Sequence, residues 1–459
     1  MKTEAAAIAH PILAESRVGI GEKFSYGVGS FAEQMVFNPA TMFIVFFYTD
    51  VVGLAAATVG AILLFSRVFD LLNPILGLVV DRTRSRYGNG RPWLLWLAVP
   101  LGLSTVLMFT SPALGPVGKA IYAFITYNLA LEIIFPAIDV PYSAMLCLIT
   151  SDEHERTVLS LFRMVLQNVG GLLSFAVTLA MVKYFGGGAL GWSRSFMCFG
   201  ALATVFLLVC FAGTRERVAP VSRQEAPVSV KRALSSVLKN KYCLQIALLL
   251  IGVFMLLGLI SSNIYYCRSI LKNVEIMGPL MSAYQVSVIV GMICAGPLVT
   301  RLGKRNGSLW GLAVAVAGQA IMFAAPASIT LIYVGTILKG FGLAPMMGTL
   351  FAMVSDVVDY GEWNSGVHAA GLIYGAMALG AKVAIGLGNA LVGFILGLSG
   401  YVAGAVVQSP ATILAIKVMF LHLPLFLLLI MGLILFVYDL DRRYPVIAAG
   451  LKARRLAAN

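Results

Sequence analysis

Apolar runs of about 20 residues alternate along the chain with short breaks marked by polar residues, Gly or Pro. They predict helices at about 24–48, 54–80, 93–111, 118–148, 160–182 and 195–213. After one long hydrophilic stretch the runs resume at about 243–267, 278–300, 308–325, 328–354, 370–398 and 411–438. A bilayer core about 30 Å thick takes roughly 20 residues of helix to cross, so each run can span it. The pattern predicts an all-α membrane protein of twelve transmembrane helices in two pseudo-symmetric six-helix bundles. Its divisions are a first bundle at 1–213, a linker at 214–242, a second bundle at 243–438 and a tail at 439–459.

Composition narrows the class. Of 459 residues, 59% are apolar and only 12% charged. Soluble domains carry about 25% charged residues, which excludes an ordinary water-soluble enzyme. The six cysteines form no CxxC pair, and His10, His154, His368 and His422 are scattered over ends and loops. With no Gly-rich phosphate loop and no nucleophile and base pair, neither an enzyme nor a cofactor or metal site is expected. The first twenty-odd residues lack a signal-peptide core, so the first helix is expected to act as the targeting signal.

The net charge of +13 reports orientation before partners. Counted with the N-terminus inside, the cytoplasmic segments hold 23 Lys and Arg and the outer segments 5. That asymmetry predicts both termini in the cytoplasm and removes the case for nucleic acid.

Ionisable residues inside the spans are costly, about 2.5–3.5 kcal/mol each near the bilayer centre, and so point to function. The first bundle carries Glu33, Arg67, Asp70, Glu132, Asp139 and Arg163, four acids against two bases. The excess carboxylates require a proton or a metal cation to neutralise them. Asn73-Pro74 follows Asp70, and Pro136 and Pro141 flank Asp139, each freeing backbone carbonyls beside a polar cavity. The second bundle carries Lys339, Lys382 and Lys417, the last close enough to an end to snorkel. Arg82, Arg84, Arg86, Arg91 and Arg156 are expected to face Asp356, Asp359 and Glu362 as a breakable latch between the bundles, a cytoplasmic gate. The loop Asp81 to Pro92 is echoed by Arg301 to Gly307, and Ser151 to Arg156 by Asp356 to Glu362. Such echoes suggest duplicated bundles with a substrate site between them.

Several ordered motifs carry a resemblance. The runs Tyr48-Thr-Asp-Val-Val-Gly53, Arg67-Val-Phe-Asp70 and Asp81-Arg-Thr-Arg-Ser-Arg-Tyr-Gly-Asn-Gly-Arg-Pro-Trp93 occur in the first bundle. Asp139-Val-Pro-Tyr142, Asp356-Val-Val-Asp-Tyr-Gly-Glu-Trp363 and Gly371-Leu-Ile-Tyr374 follow. Together they resemble the glycoside-pentoside-hexuronide cation symporters, the melibiose permease-like branch of the major facilitator superfamily. The resemblance covers almost the whole chain. It implies the major facilitator fold and import of a glycoside, pentoside or hexuronide by cation symport through alternating access, in the bacterial cytoplasmic membrane, by a monomer. It also implies a substrate site of Gln34, Asp139, Tyr142, Arg163, Tyr374 and Lys382, and a cation site of Glu33, Asp70 and Asp139.

Departures from the family pattern refine this. The stretch Asp70-Leu-Leu-Asn-Pro74 lacks a second helix-2 aspartate, Gln34 stands where the galactoside-binding aspartate is found, and Ser143 replaces a tryptophan. A proton needs one titratable group, so a proton is expected as coupling ion, with sodium as the alternative. A lysophospholipid or other amphiphile carrier, or a sugar facilitator without ion coupling, are the alternative functions.

Overall fold

In hydrocarbon every backbone N–H and C=O must be satisfied internally, and a chain of apolar runs without alternation meets that demand as helices. The computed structural model describes residues 18–72, 85–150, 152–217, 240–365, 370–405 and 407–444, with isolated positions 76, 79, 83, 446, 447, 449 and 450 between or beyond them. The first half holds α1 (Ile20–Phe46), α2 (Ala56–Ser66), α3 (Arg91–Met108), α4 (Pro116–Ile149), α5 (Glu153–Tyr184) and α6 (Gly188–Gly213). The second holds α7 (Lys241–Ser269), α8 (Met277–Leu302), α9 (Lys304–Ala324), α10 (Ile329–Ser365) and α11 (Ala370–Leu398). Last comes α12, Pro410–Lys417 continued through Val418–His422 into Leu423–Val437.

Ten of these helices, α3 to α12, are long and apolar enough to cross a membrane. The other two occupy the places of the first two expected spans. In α1 the run is interrupted by Glu33, Gln34 and Asn38, polar residues turned toward the interior. The helix starts carry conventional chemistry: Asp152 accepts from the Glu155 N–H at 3.0 Å, and Asn240 from the Tyr242 N–H at 3.1 Å. α10 is longer than its apolar run predicts, because Asp356, Asp359 and Glu362 continue the helix to Ser365 rather than opening a loop.

Small residues let the helices approach closely. A Cβ on Gly318 of α9 would lie 2.6 Å from the Gly335 carbonyl oxygen of α10. Between the halves, a Cβ on Gly60 of α2 would lie 2.9 Å from the Ala390 carbonyl oxygen of α11. Gly278 of α8 similarly meets the backbone of Phe175 in α5. Because successive helices alternate in direction, these crossings lie toward the end of the bundle away from the start of α1. That end is the far face, and the opposite end is the terminal face.

Several breaks in helical geometry matter later. Phe47–Val51, Asn128–Ile134 and Val418–His422 are π-helical, and Arg67–Leu72 is a 3₁₀ segment. Such irregular turns are found disproportionately where function is placed.

Candidate functional site

Two of these breaks position the charges of a central cavity. The 3₁₀ turn after α2 carries Arg67 and Asp70, and the π turn within α4 carries Glu132. Arg67 donates to Asp70 Oδ2 at 3.1 Å, to Glu132 Oε1, to the Tyr127 hydroxyl at 3.1 Å and to the Lys382 carbonyl at 3.4 Å. The last of these contacts crosses from the first half to the second. One guanidinium thus holds two buried carboxylates, the arrangement a planar five-donor fork suits best.

A second arginine organises the other side. Arg163 of α5 lies 3.6 Å from Asp139, donates to the Ser30 hydroxyl at 3.2 Å and to the Ser143 hydroxyl at 3.0 Å, and stacks 4.9 Å above the Tyr142 ring. Ser143, a departure from the family pattern in the sequence, therefore has a defined task. Glu33 is buried beside Asp139 and Arg163, and its Oε1 has no hydrogen-bond partner among the described residues.

The cavity these groups share encloses about 870 Å³, including the part open to solvent. Glu33, Gln34, Asp70, Asp139, Arg163 and Lys382, all expected from sequence, line it together. Tyr142 does not: its ring is fully buried, its hydroxyl donates to the Tyr26 carbonyl at 2.6 Å, and it serves the site by carrying Arg163. Tyr374 is 39% exposed and lies outside the lining. Sequence reading missed Tyr127, Gln167 and Asn389, and the pair Phe37 and Phe135, whose rings stack at 5.3 Å on the cavity wall. The aromatic pair carried no signal beyond ordinary apolar periodicity.

Among the described residues, the partners seen for the expected gate residues lie within single halves. Asp356 is held by Lys304 at 2.6 Å and Asp359 by the Tyr444 hydroxyl at 2.7 Å, both within the second half. Arg156 donates to the Thr150 carbonyl at 2.8 Å and Arg91 to the Phe211 carbonyl at 2.7 Å, both within the first. Arg86 lies over the ring of its neighbour Tyr87, and Glu362 lies in the last turn of α10. Arg82, Arg84, Asn73, Pro74 and His368 lie outside the described residues.

The closure is instead at the far face. Asp50, in the π turn after α1, accepts from Arg268 of α7, from the Tyr401 hydroxyl at 2.8 and 3.0 Å, from Thr49 at 2.7 Å and from the Gly404 N–H at 3.3 Å. The Thr49 hydroxyl also meets that of Tyr265 at 2.8 Å. The Tyr48 to Gly53 motif could have flagged Asp50, but nothing in the sequence named its partners.

A buried two-arginine cavity between two sets of helices, closed at one face, is the geometry of an alternating-access carrier. The family model described as MFS/sugar transport protein matches residues 25–442. The chain belongs to this family. It is a multi-pass membrane transporter of the major facilitator superfamily, not an enzyme. This MFS sugar transporter is 30% identical to an isoprimeverose transporter of Lactiplantibacillus pentosus, over 100% of this chain and 95% of that one. It is 33% identical to the inner membrane symporter YicJ of Escherichia coli (strain K12), over 89% of each chain. It is 28% identical to the glucuronide carrier protein homolog of the same organism, over 94% of this chain and 95% of the other. Among solved structures it superposes on the nucleoside transporter NupG with a TM-score of 0.63 at 15% identity, covering 91% of this chain and 100% of that one. At that identity the likeness speaks for the fold alone.

Proposed function

We propose that this transporter carries a neutral glycoside of about disaccharide size across a bacterial inner membrane in symport with a proton, its terminal face being cytoplasmic. The similarity to an isoprimeverose transporter and to an inner membrane symporter supports the substrate class and the location. The 23 to 5 distribution of Lys and Arg supports the orientation. On that orientation, a closed far face and described terminal-face ion pairs kept within single halves support an inward-open conformation.

The charge count of the cavity carries the coupling assignment. Four carboxylates, Glu33, Asp70, Glu132 and Asp139, meet three cations, Arg67, Arg163 and Lys382. Arg67 already serves two acids and Arg163 is engaged by Asp139, which leaves Glu33 as the acid without a hydrogen bond to Oε1. A proton on Glu33 removes the one net charge that closure would have to desolvate. The same balance favours a neutral sugar over a hexuronide, since both arginines are already countered. The stacked Phe37 and Phe135 offer an apolar wall to the C–H face of a pyranose ring.

Uptake of labelled glycosides into proteoliposomes under separate proton and sodium gradients tests this reading. A proton gradient should drive accumulation. Glu33→Gln should lower it at least ~10-fold while leaving substrate exchange intact, a loss of about 1.4 kcal/mol of coupling. Asp70→Asn should likewise lose proton-driven accumulation. Accumulation driven by sodium alone, or a preference for glucuronides over neutral glycosides, would overturn the assignment.

A further inference from the structure

A second cavity lies wholly within the second half, between α7, α8, α10 and α12, and shares no residue with the central one. Its polar lining consists of Lys339, Asn263, Tyr284 and Thr336, set among aliphatic side chains, with no Asp or Glu. It encloses about 440 Å³ including the part open to solvent, about half as much as the central cavity, and only about 30 Å³ of it, against about 220 Å³ there, is open to the centres of water-sized bodies. One such body needs about 10–15 Å³ on that measure, so the space admits two or three small particles and no sugar.

Lys339 is the feature that requires explanation. It lies ten residues beyond Ile329, the far-face start of α10, which at 1.5 Å per residue is about 15 Å deep, half the hydrocarbon core. From there its ammonium cannot reach either interface. Among the described residues it makes no ion pair and no hydrogen bond, and its Nζ lies 5.7 Å from the centre of the Phe420 ring. The central cavity shows the opposite arrangement, with each arginine countered by a carboxylate.

The other polar groups here are donors with little to donate to. Asn263 Nδ2 meets only the Met281 sulfur at 3.5 Å, and the Thr336 hydroxyl only the Met322 sulfur at 3.8 Å. Thioether sulfur is a weak acceptor, so most of that donor capacity is unspent. The Tyr284 hydroxyl makes no hydrogen bond among the described residues. Thr336 and Lys339 sit one turn apart on the same face of α10. Asn263 directly follows the 3₁₀ break Ile260–Ser262, and Phe420 lies in the π turn of α12, so two local irregularities open the space around the ammonium.

We infer that this cavity binds a small monovalent inorganic anion of the size of chloride, held by Lys339 and ringed by the donors of Asn263, Tyr284 and Thr336. The anion supplies the counter-charge the lining lacks, and it ties α7 to α10 at the level of the central site. Occupancy therefore stabilises the second half as a rigid body and leaves the glycoside cavity untouched.

The test uses the full-length protein purified in detergent, with chloride replaced by gluconate at constant ionic strength. Saturable binding of radioactive chloride by scintillation proximity and a chloride-dependent rise in unfolding temperature are expected for the wild type. Lys339→Gln should weaken chloride binding at least tenfold, Lys339→Arg should retain it, and Thr336→Val and Tyr284→Phe should each weaken it several-fold. Absence of saturable chloride binding in the wild type would overturn the inference, as would undiminished binding in folded Lys339→Gln protein. If Lys339→Gln does not fold, unchanged binding in both Thr336→Val and Tyr284→Phe would overturn it equally.

Discussion

At the far face Asp50 gathers Arg268, Tyr401, Thr49 and the backbone of Gly404, partners drawn from both halves. At the terminal face Lys304 holds Asp356, Tyr444 holds Asp359 and Lys23 holds Glu155, each pair within its own half. The two faces carry similar residue types at similar burial, so the difference lies in which helices the partners ride on. The Asp50 side chain is 3% exposed, and a carboxylate desolvated to that degree is stable only while its donors stay in place. Pairs internal to one half survive a rocking motion and stiffen the moving body. A pair shared between halves must break for the opposite state to form, and so it sets the energy difference between the states.

The largest effect is expected where that shared carboxylate is removed. Asp50→Ala leaves Arg268 without its counter-ion and deletes the contacts of Tyr401 and Thr49. Breaking a buried pair costs about 3 kcal/mol or more, enough to shift the ratio of terminal-open to far-open states by roughly 150-fold. Pulsed electron resonance between labels on Cys147 and Cys294, the two exposed native cysteines, one in each half, reads this shift once Cys198 is replaced by Ser. The label separation should shorten in Asp50→Ala. An unchanged distance distribution would show that helix packing of α2 on α11 and α5 on α8, not the ionic cluster, holds the far face shut.

Tyr401→Phe sharpens the comparison by removing the hydrogen bond that its single hydroxyl proton shares between the two Asp50 oxygens, at 2.8 and 3.0 Å, while sparing both charges. Bonds to a charged group are worth about 1.5 to 3 kcal/mol, so a shift of about tenfold in the same distance measurement is expected. An effect as large as that of Asp50→Ala would make the hydroxyl, rather than the ion pair, the closing element.

Much of this arrangement is legible in the amino-acid sequence, and the exceptions share a cause. The apolar runs locate the helices because crossing hydrocarbon leaves a chain no other option. The central cavity unites Glu33, Gln34, Asp70, Asp139, Arg163 and Lys382 because a charge in that environment has few places to go. The described partner of the latch residue Asp356 is Lys304 of α9 in its own half, a choice that the sequence does not mark because several cations lie within reach of a carboxylate at that end. Tyr142 was expected in the cavity because the family motif Asp139-Val-Pro-Tyr142 carries it, yet its ring stacks on Tyr26 and lies beneath Arg163. The π turn that presents Asp50 contains no proline or glycine, so the sequence offers no local mark of it. The π turn that presents Glu132 is followed by Pro136, which made that region conspicuous.

The smallest effect is expected from the other cation and carboxylate shared between the halves at the far face. Lys183 of α5 pairs with Glu275, which precedes α8, and by connectivity alone this bridge is equivalent to the Asp50 cluster. Its side chains are 74% and 71% exposed, so water screens the attraction and the ordering of two long side chains offsets most of what remains. Lys183→Ala should therefore change the state ratio by less than about twofold, under 0.5 kcal/mol, and raising the salt concentration should leave the wild-type distance distribution unchanged. Should Lys183→Ala match Tyr401→Phe in the size of its shift, or should salt alone open the far face, then burial does not rank these contacts. Long-range attraction between the halves would then be the force that keeps the far face closed.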